Sequence, residues 1–185
     1  MNTVYYTLAT TALGDVGVVW RRKNNTPAVV KICLPVERER VDSVVSTHFP
    51  SSSMHSHDEV KKVCDYLREY LAGKLTVFSL HRLDMSVCNE FQRNVLNKTW
   101  LIPRGMVSTY KGLAVRMGIP GGARAVGMAL ASNPFPLVIP CHRVIRTGGS
   151  LGGFGGGLEM KKKLLGIEGV AFNEKGKVLS QFLWS

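Results

Sequence analysis

The chain changes its periodicity near residue 88, and a chain that does so cannot form one continuous sheet or one helical bundle. From Val4 to Leu34, "VYYTLATTALGDVGVVWRRKNNTPAVVKICL" alternates apolar and polar residues, with breaks at Gly14-Asp15, Gly17 and "KNNTP". Strand side chains two apart share a face, so this stretch reads as two or three short strands joined by turns. In "SSSMHSHDEVKKVCDYLREYLAGK" the apolar residues Val60, Val63, Leu67 and Leu71 recur at helical spacing, serines and Asp58 precede them, and Gly73 follows as a stop. That is one amphipathic helix, and "LTVFSLHRLDMSV" after it reads as an extended linker.

From Asn89 the pattern is helical. "CNEFQRNVLNKTWLIPRG" places Phe91, Val95, Leu96 and Trp100 on one face and ends at Pro103-Arg104-Gly105. Ser108 or Thr109 then caps a short helix through Met117, Gly118 to Gly122 make a turn, and Ala123 to Ala131 form a second helix stopped by Asn133-Pro134. The expected organisation is an α/β amino-terminal domain with a linker, 1–87, and a mainly α carboxy-terminal domain, 88–185.

A chain of 185 residues with 45% apolar content can form one large or two small packed domains. Its start, "MNTVYYTLATTALGDVGVVW", has neither the charge-then-apolar layout of a signal peptide nor a membrane-spanning run, so no membrane association is expected. Cys33, Cys64, Cys88 and Cys141 are widely spaced with no Cys-x-x-Cys, which fits reduced thiols in a cytoplasmic protein, or a nuclear one in a eukaryote. His55 and His57 lie two apart without a third ligand nearby and read as a solvated loop.

The net charge of +11 is unevenly spread. Residues 1–87 carry 11 Lys or Arg against 9 Asp or Glu, and residues 88–185 carry 13 against 4. Such an excess attracts polyanions such as nucleic acid or an anionic membrane, or serves only solubility. Two short helices around a glycine turn inside the basic half make a helix-turn-helix candidate. On the second of them Ala123, Ala125, Gly127, Ala129 and Ala131 are small, and Arg124 is the only charged residue between Gly118 and Pro140. That face suits either a close approach to a DNA groove or close helix packing with Arg124 in solvent.

"SNPFPLVIPCHRVI" places Cys141 on an extended, buried-looking strand after a proline-constrained turn, with Asn133 in the turn and His142 beside the thiol. Adjacent strand residues face opposite ways, so a water bridge or a twist is needed to link the two. "IPCHRVI", with upstream "VSTY", "ARAVG" and "SNP" and downstream "GGFGGGLEMKKKLLGIEG", resembles the O6-alkylguanine-DNA alkyltransferases over roughly residues 89 to 170.

The resemblance implies a ribonuclease H-like α/β domain followed by a winged-helix-like DNA-binding domain. It implies a monomer that acts on alkylated double-stranded DNA from the minor groove, uses no cofactor, and moves an alkyl group once and irreversibly from O6 of guanine, or O4 of thymine, to Cys141. By the same resemblance His142 activates Cys141 through a water, Glu168 orients His142, Asn133 holds the turn, and Tyr110 donates to N3 of the departing base. Arg124 fills the space of the flipped nucleotide, Ala123, Ala125 and Thr109 lie against the DNA, and Val144, Phe154 and Gly155 form the base pocket. Many relatives have tyrosine where this chain has Phe154. Some hold a structural zinc in the first domain, but Cys33 is the only cysteine before residue 60, so no metal is expected.

Two other function classes remain. A pure DNA-binding module explains the charge and the helix pair but leaves Cys141, His142, Tyr110 and Glu168 without a role. A cysteine hydrolase explains the thiol and the imidazole but leaves the basic helix pair unexplained.

Overall fold

The computed structural model describes residues 3–35 and 40–184, which divide into two compact units, Met1–Val87 and Cys88–Ser185. In the first unit β1 (Val4–Thr11), β2 (Gly14–Lys23) and β3 (Thr26–Cys33) form an antiparallel meander, and β4 (Ser53–Met54) adds a parallel edge to give the order β3-β2-β1-β4. The β2–β3 turn is Asn24-Asn25, both with positive φ (48° and 63°), the geometry a two-residue hairpin demands and asparagine tolerates. Gly17 is not in a turn but inside β2. A Cβ there would stand 2.8 Å from Val41 Cγ1, so glycine admits α1 (Val41–His48) onto the sheet.

On that face Val19, Val30 and Cys33 pack against Val41 and Val45 of α1. Alternation along β2 turns Trp20 the other way, where it meets Tyr5, His55 and His57 at ring distances of 4.8, 5.8 and 5.8 Å. His57 also accepts a hydrogen bond from Glu59 N as N-cap of α2 (Asp58–Leu71), which buries Val60, Val63, Leu67 and Leu71. The histidine pair is therefore not simply a solvated loop: His57 starts a helix and both rings cover a tryptophan. Among the described residues no group of three His, Cys, Asp or Glu could hold a metal.

The segment read as an extended linker contains two 3-10 turns, Leu80–Arg82 and Met85–Val87. Asp84 between them ties it to the sheet: its amide donates to Val29 O, and its carboxylate accepts from Arg21 and Lys23 of β2.

The second unit contains α3 (Glu90–Trp100), β5 (Ser108–Thr109), α4 (Tyr110–Arg116), α5 (Ala123–Ala131), β6 (Val144–Ile145) and α6 (Gly157–Ile167), with β5 and β6 parallel. The buried face of α3 is Val95, Leu96 and Thr99; Phe91 and Trp100 are exposed, which corrects the expected face. Gln92 fixes α3 to the end of α5 by donating to Ala129 O and Ser132 O. Thr109 Oγ1 accepts from Gly112 N at 2.9 Å and caps α4, which runs to Arg116 with Met117 as its C-cap. No helix among the described residues is long and apolar enough to cross a membrane.

Candidate active site

Cys141 is not on a strand. It begins a 3-10 turn, Cys141–Arg143, and only then does β6 follow. The turn before it explains the difference. Asn133 Oδ1 accepts from Phe135 N at 2.9 Å and Asn133 Nδ2 donates to Ile139 O at 3.1 Å, which closes "SNPFPLVI" into a compact loop. Leu137, buried within it, has φ of 73°, a left-handed conformation costly for a branched side chain and sustained by its packed surroundings. The chain thus arrives at Cys141 already bent.

Cys141 is 8% exposed and lines a cavity of about 400 Å³ with Tyr110, Gly127, Leu130, Arg146, Phe154 and Gly155. His142, wholly buried, points its Nε2 at Glu168 Oε1, 3.0 Å away. Glu168, at the C-cap of α6, also receives Nε and Nη2 of Arg143 at 2.7–3.1 Å. Arg143 Nη1 in turn donates to Ile102 O at 2.6 Å. Glu168 is not a surface carboxylate; it joins two consecutive residues of the Pro-Cys-His-Arg stretch from 27 positions beyond the cysteine.

Burial pushes the Cys141 thiol up, partly offset by a hydrogen bond from Asn133, so the resting group is a thiol. Burial likewise depresses the His142 imidazole, against the pull of Glu168, which leaves it neutral and able to accept a proton. Burial alone would raise Glu168, but hydrogen bonds and charge from His142 and Arg143 hold its carboxyl well below the usual range. A thiol, a neutral imidazole and an ionised carboxylate thus follow one another in chain order at Cys141, His142 and Glu168.

The expected residues do not all meet. Cys141, Tyr110, Phe154 and Gly155 line the cavity, His142 and Glu168 lie outside its lining, and Asn133 braces the turn. Val144 is fully buried in β6 and absent from the lining; its carbonyl accepts from Lys161 Nζ at 2.6 Å. Thr109 caps α4. Arg124 and Ala125 are exposed on α5, Ala123 is half-buried, and none of the three lines the cavity. Met128, 71% exposed, and Gly127 extend the surface of that helix.

Two residues escaped the sequence reading. Arg143 stood inside the quoted motif. Lys161 is wholly buried, donates to Val144 O and Gly153 O, and lies 5.9 Å from the Tyr110 ring centroid. Burial pushes its ammonium down to about 8. Its signal was present: three and four residues before Leu164 and Leu165, Lys161 occupies the buried stripe of α6 despite the charged run around it.

The profile described as "6-O-methylguanine DNA methyltransferase, DNA binding domain" matches residues 90–170. The methylated-DNA–protein-cysteine methyltransferase of Methanothermobacter thermautotrophicus is 41% identical over 157 residues, which span 85% of this chain and 81% of the relative. The chain belongs to this family. A crystal structure of the Mycobacterium tuberculosis O6-methylguanine methyltransferase has a TM-score of 0.71 and 32% identity to this member of the family, covering 90% of this chain and 93% of that one. The same organism's OGT in complex with DNA has a TM-score of 0.70 and 31% identity, covering 89% and 92%. The mixed α/β fold of this methyltransferase family member, with two sheets and six α-helices among its described residues, matches those structures.

Proposed function

We propose that this protein repairs alkylated DNA by direct reversal, taking the alkyl group of O6-alkylguanine, and of O4-alkylthymine, onto Cys141 in one irreversible event. The observation that carries this reading is a buried carboxylate–imidazole pair, Glu168–His142, adjoining a cysteine that lines a cavity large enough for a base.

The thiol proton passes through a bridging water to His142, which Glu168 orients and stabilises as it becomes charged. The sulfur attacks the alkyl carbon as the C–O6 bond breaks, and that electron pair goes to the purine. Tyr110 donates to N3, one proton returns to the base, and the products are guanine and a thioether. Phe154 and Gly155 bound the base, Val144 backs the pocket, and Asn133 keeps the sulfur in place. Phe154 retains a stacking surface but has no hydroxyl to offer.

A base inside a duplex is out of reach, so it must be rotated out at an unstacking cost of roughly a few kcal/mol. Arg124 fills the vacated space, with Ala123, Ala125 and Thr109 against the minor groove. The α4–turn–α5 pair, with exposed Arg124 and small neighbours, supports this docking. We infer a ribonuclease H-like domain over 1–87 and a winged-helix-like domain over 88–185, acting as a monomer in the compartment that holds the DNA, the cytoplasm or a nucleus.

Intact-protein mass measurement after mixing with duplex DNA containing O6-methylguanine tests the reading. One methyl per molecule on Cys141, with none on Cys141→Ala despite retained DNA binding, is the expected result. No added mass rejects the proposal, and repeated turnover without a modified cysteine indicates a hydrolase.

A further inference from the structure

Arg146 stands on the wall of the same cavity, and no step above uses it. It directly follows β6 and is exposed, and among the described residues its side chain makes no ion pair or hydrogen bond. A solvated arginine needs no explanation when it stands alone. This one does not stand alone, because it faces the cavity with Cys141 and Tyr110.

Gly152 fixes the neighbourhood. Its φ of 70° suits glycine, and a Cβ on it would stand 3.0 and 3.1 Å from Tyr110 Cε2 and Oη and 3.4 Å from Arg146 Cγ. The phenol hydroxyl and the arginine stem therefore flank one point of the backbone, and the glycine allows both to close on it. The electrostatics agree with this geometry: burial and the nearby Cys141 make the Tyr110 hydroxyl harder to ionise, while Arg146 acts in the opposite sense.

When sulfur displaces the purine, the electron pair of the broken C–O6 bond spreads over the oxygen and the ring nitrogens. A neutral hydroxyl shares part of that charge, and a cation beside it stabilises far more of it. We propose that Arg146 is a catalytic residue: its guanidinium lies against the departing purine beside Tyr110 and stabilises the negative charge that the base acquires during transfer. The inference rests on the alkyl-transfer reading of this cavity and adds to it a second, cationic group for the leaving base. A guanidinium in this position could instead grip a phosphate of the rotated nucleotide, and the experiment separates the two.

Single-turnover rates of the full chain and of Arg146→Ala are compared on free O6-benzylguanine, on its 8-bromo derivative, whose purine is a more acidic leaving group, and on duplex DNA containing O6-methylguanine. Free bases carry no phosphate. Arg146→Ala is expected to slow the unsubstituted free base about tenfold, less than the loss of a water-excluded donor because Arg146 is solvent-accessible. The loss should shrink on the 8-bromo base, which needs less help to carry charge, and Arg146→Lys should regain part of the rate. Slowing confined to duplex DNA overturns the proposal in favour of a phosphate contact. Equal slowing on both free bases overturns it in favour of a structural role. If the unaltered protein gains no methyl group on Cys141 from the duplex, the alkyl-transfer reading itself fails and this inference with it; methyl transfer from the duplex with no benzyl transfer from either free base overturns this inference alone, because the leaving base is then not held outside a nucleotide.

Discussion

Asp84 in the first unit and Glu168 in the second are the buried carboxylates among the described residues, and each is paired with arginine. Burial would raise Asp84, but hydrogen bonds from Lys23, Ser86 and Arg21 hold it well below the usual range, as His142 and Arg143 hold Glu168. The difference lies in the company. Asp84 is surrounded by permanent cations and a hydroxyl, so no proton can move through it near neutral pH. Glu168 shares one oxygen with an imidazole, which is neutral at rest, has a ring nitrogen able to accept a proton and adjoins a cavity-lining thiol.

The buried cysteines divide in the same way. Burial pushes Cys64 of α2 up to about 11, and the acid that follows it in the chain, Asp65, only raises it further; Cys141 is raised too, yet its neighbour in the chain is His142. Burial and a perturbed acid do not mark a site by themselves, because a structural ion pair perturbs as strongly as a catalytic one.

Exchanging each carboxylate for its amide should separate the two roles. Glu168→Gln removes the charge that supports a protonated His142, so single-turnover transfer should fall by about 10²–10³-fold. A rate within threefold of the unaltered protein would place Glu168 with Asp84 as a purely structural ion pair.

Asp84→Asn should give the complementary result. Breaking a buried ion pair costs about 3 kcal/mol, read as a lower urea midpoint, while the transfer rate of the protein still folded in buffer stays unchanged. A parallel loss of rate would break the comparison.

The smallest effect is the pH dependence. Unfolded Asp and Glu titrate at about 3.9 and 4.3, above both folded values, so the stability these groups contribute is complete above pH of about 5 and is lost as the pH falls through that range toward the depressed values. Urea midpoints should therefore drop steeply below pH of about 4, and less so in Asp84→Asn. His142 titrates below its ordinary value of 6.5, so the neutral base persists and the transfer rate should stay flat as the pH falls through 6.5. A rate that halves at 6.5 would give His142 an unperturbed, solvated environment.

Much of this was readable from local sequence. The strands, the "KNNTP" turn and the α2 stripe depend on neighbours within a few residues and appear where the pattern set them, and of the two caps offered, Ser108 or Thr109, it is Thr109 that serves; the alternation of burial itself does not hold in β2, where Val16 to Trp20 are all buried because helices cover both faces. The helix Val41–His48 did not announce itself, since "VDSVVSTH" is rich in β-branched and hydroxyl residues that disfavour helices. It forms because Gly17, 24 residues earlier, leaves room for Val41.

At the cavity, the sequence by itself determined the chemical inventory: a thiol, an imidazole and an arginine in succession, with an asparagine turn before them. The family resemblance added Glu168 and Tyr110, which spacing alone could not have assigned. Only the tertiary structure decided that Cys141 begins a 3-10 turn, that Glu168 is buried against His142 and Arg143, that the lysine on the α6 stripe, Lys161, reaches the carbonyls of Val144 and Gly153, and that Arg146, with no local distinction, lies on the wall of the cavity. The reason is physical. Local pattern governs which backbone hydrogen bonds form, whereas the proton affinity of a carboxylate or an ammonium is set by whatever distant segments exclude water from it and supply its partners.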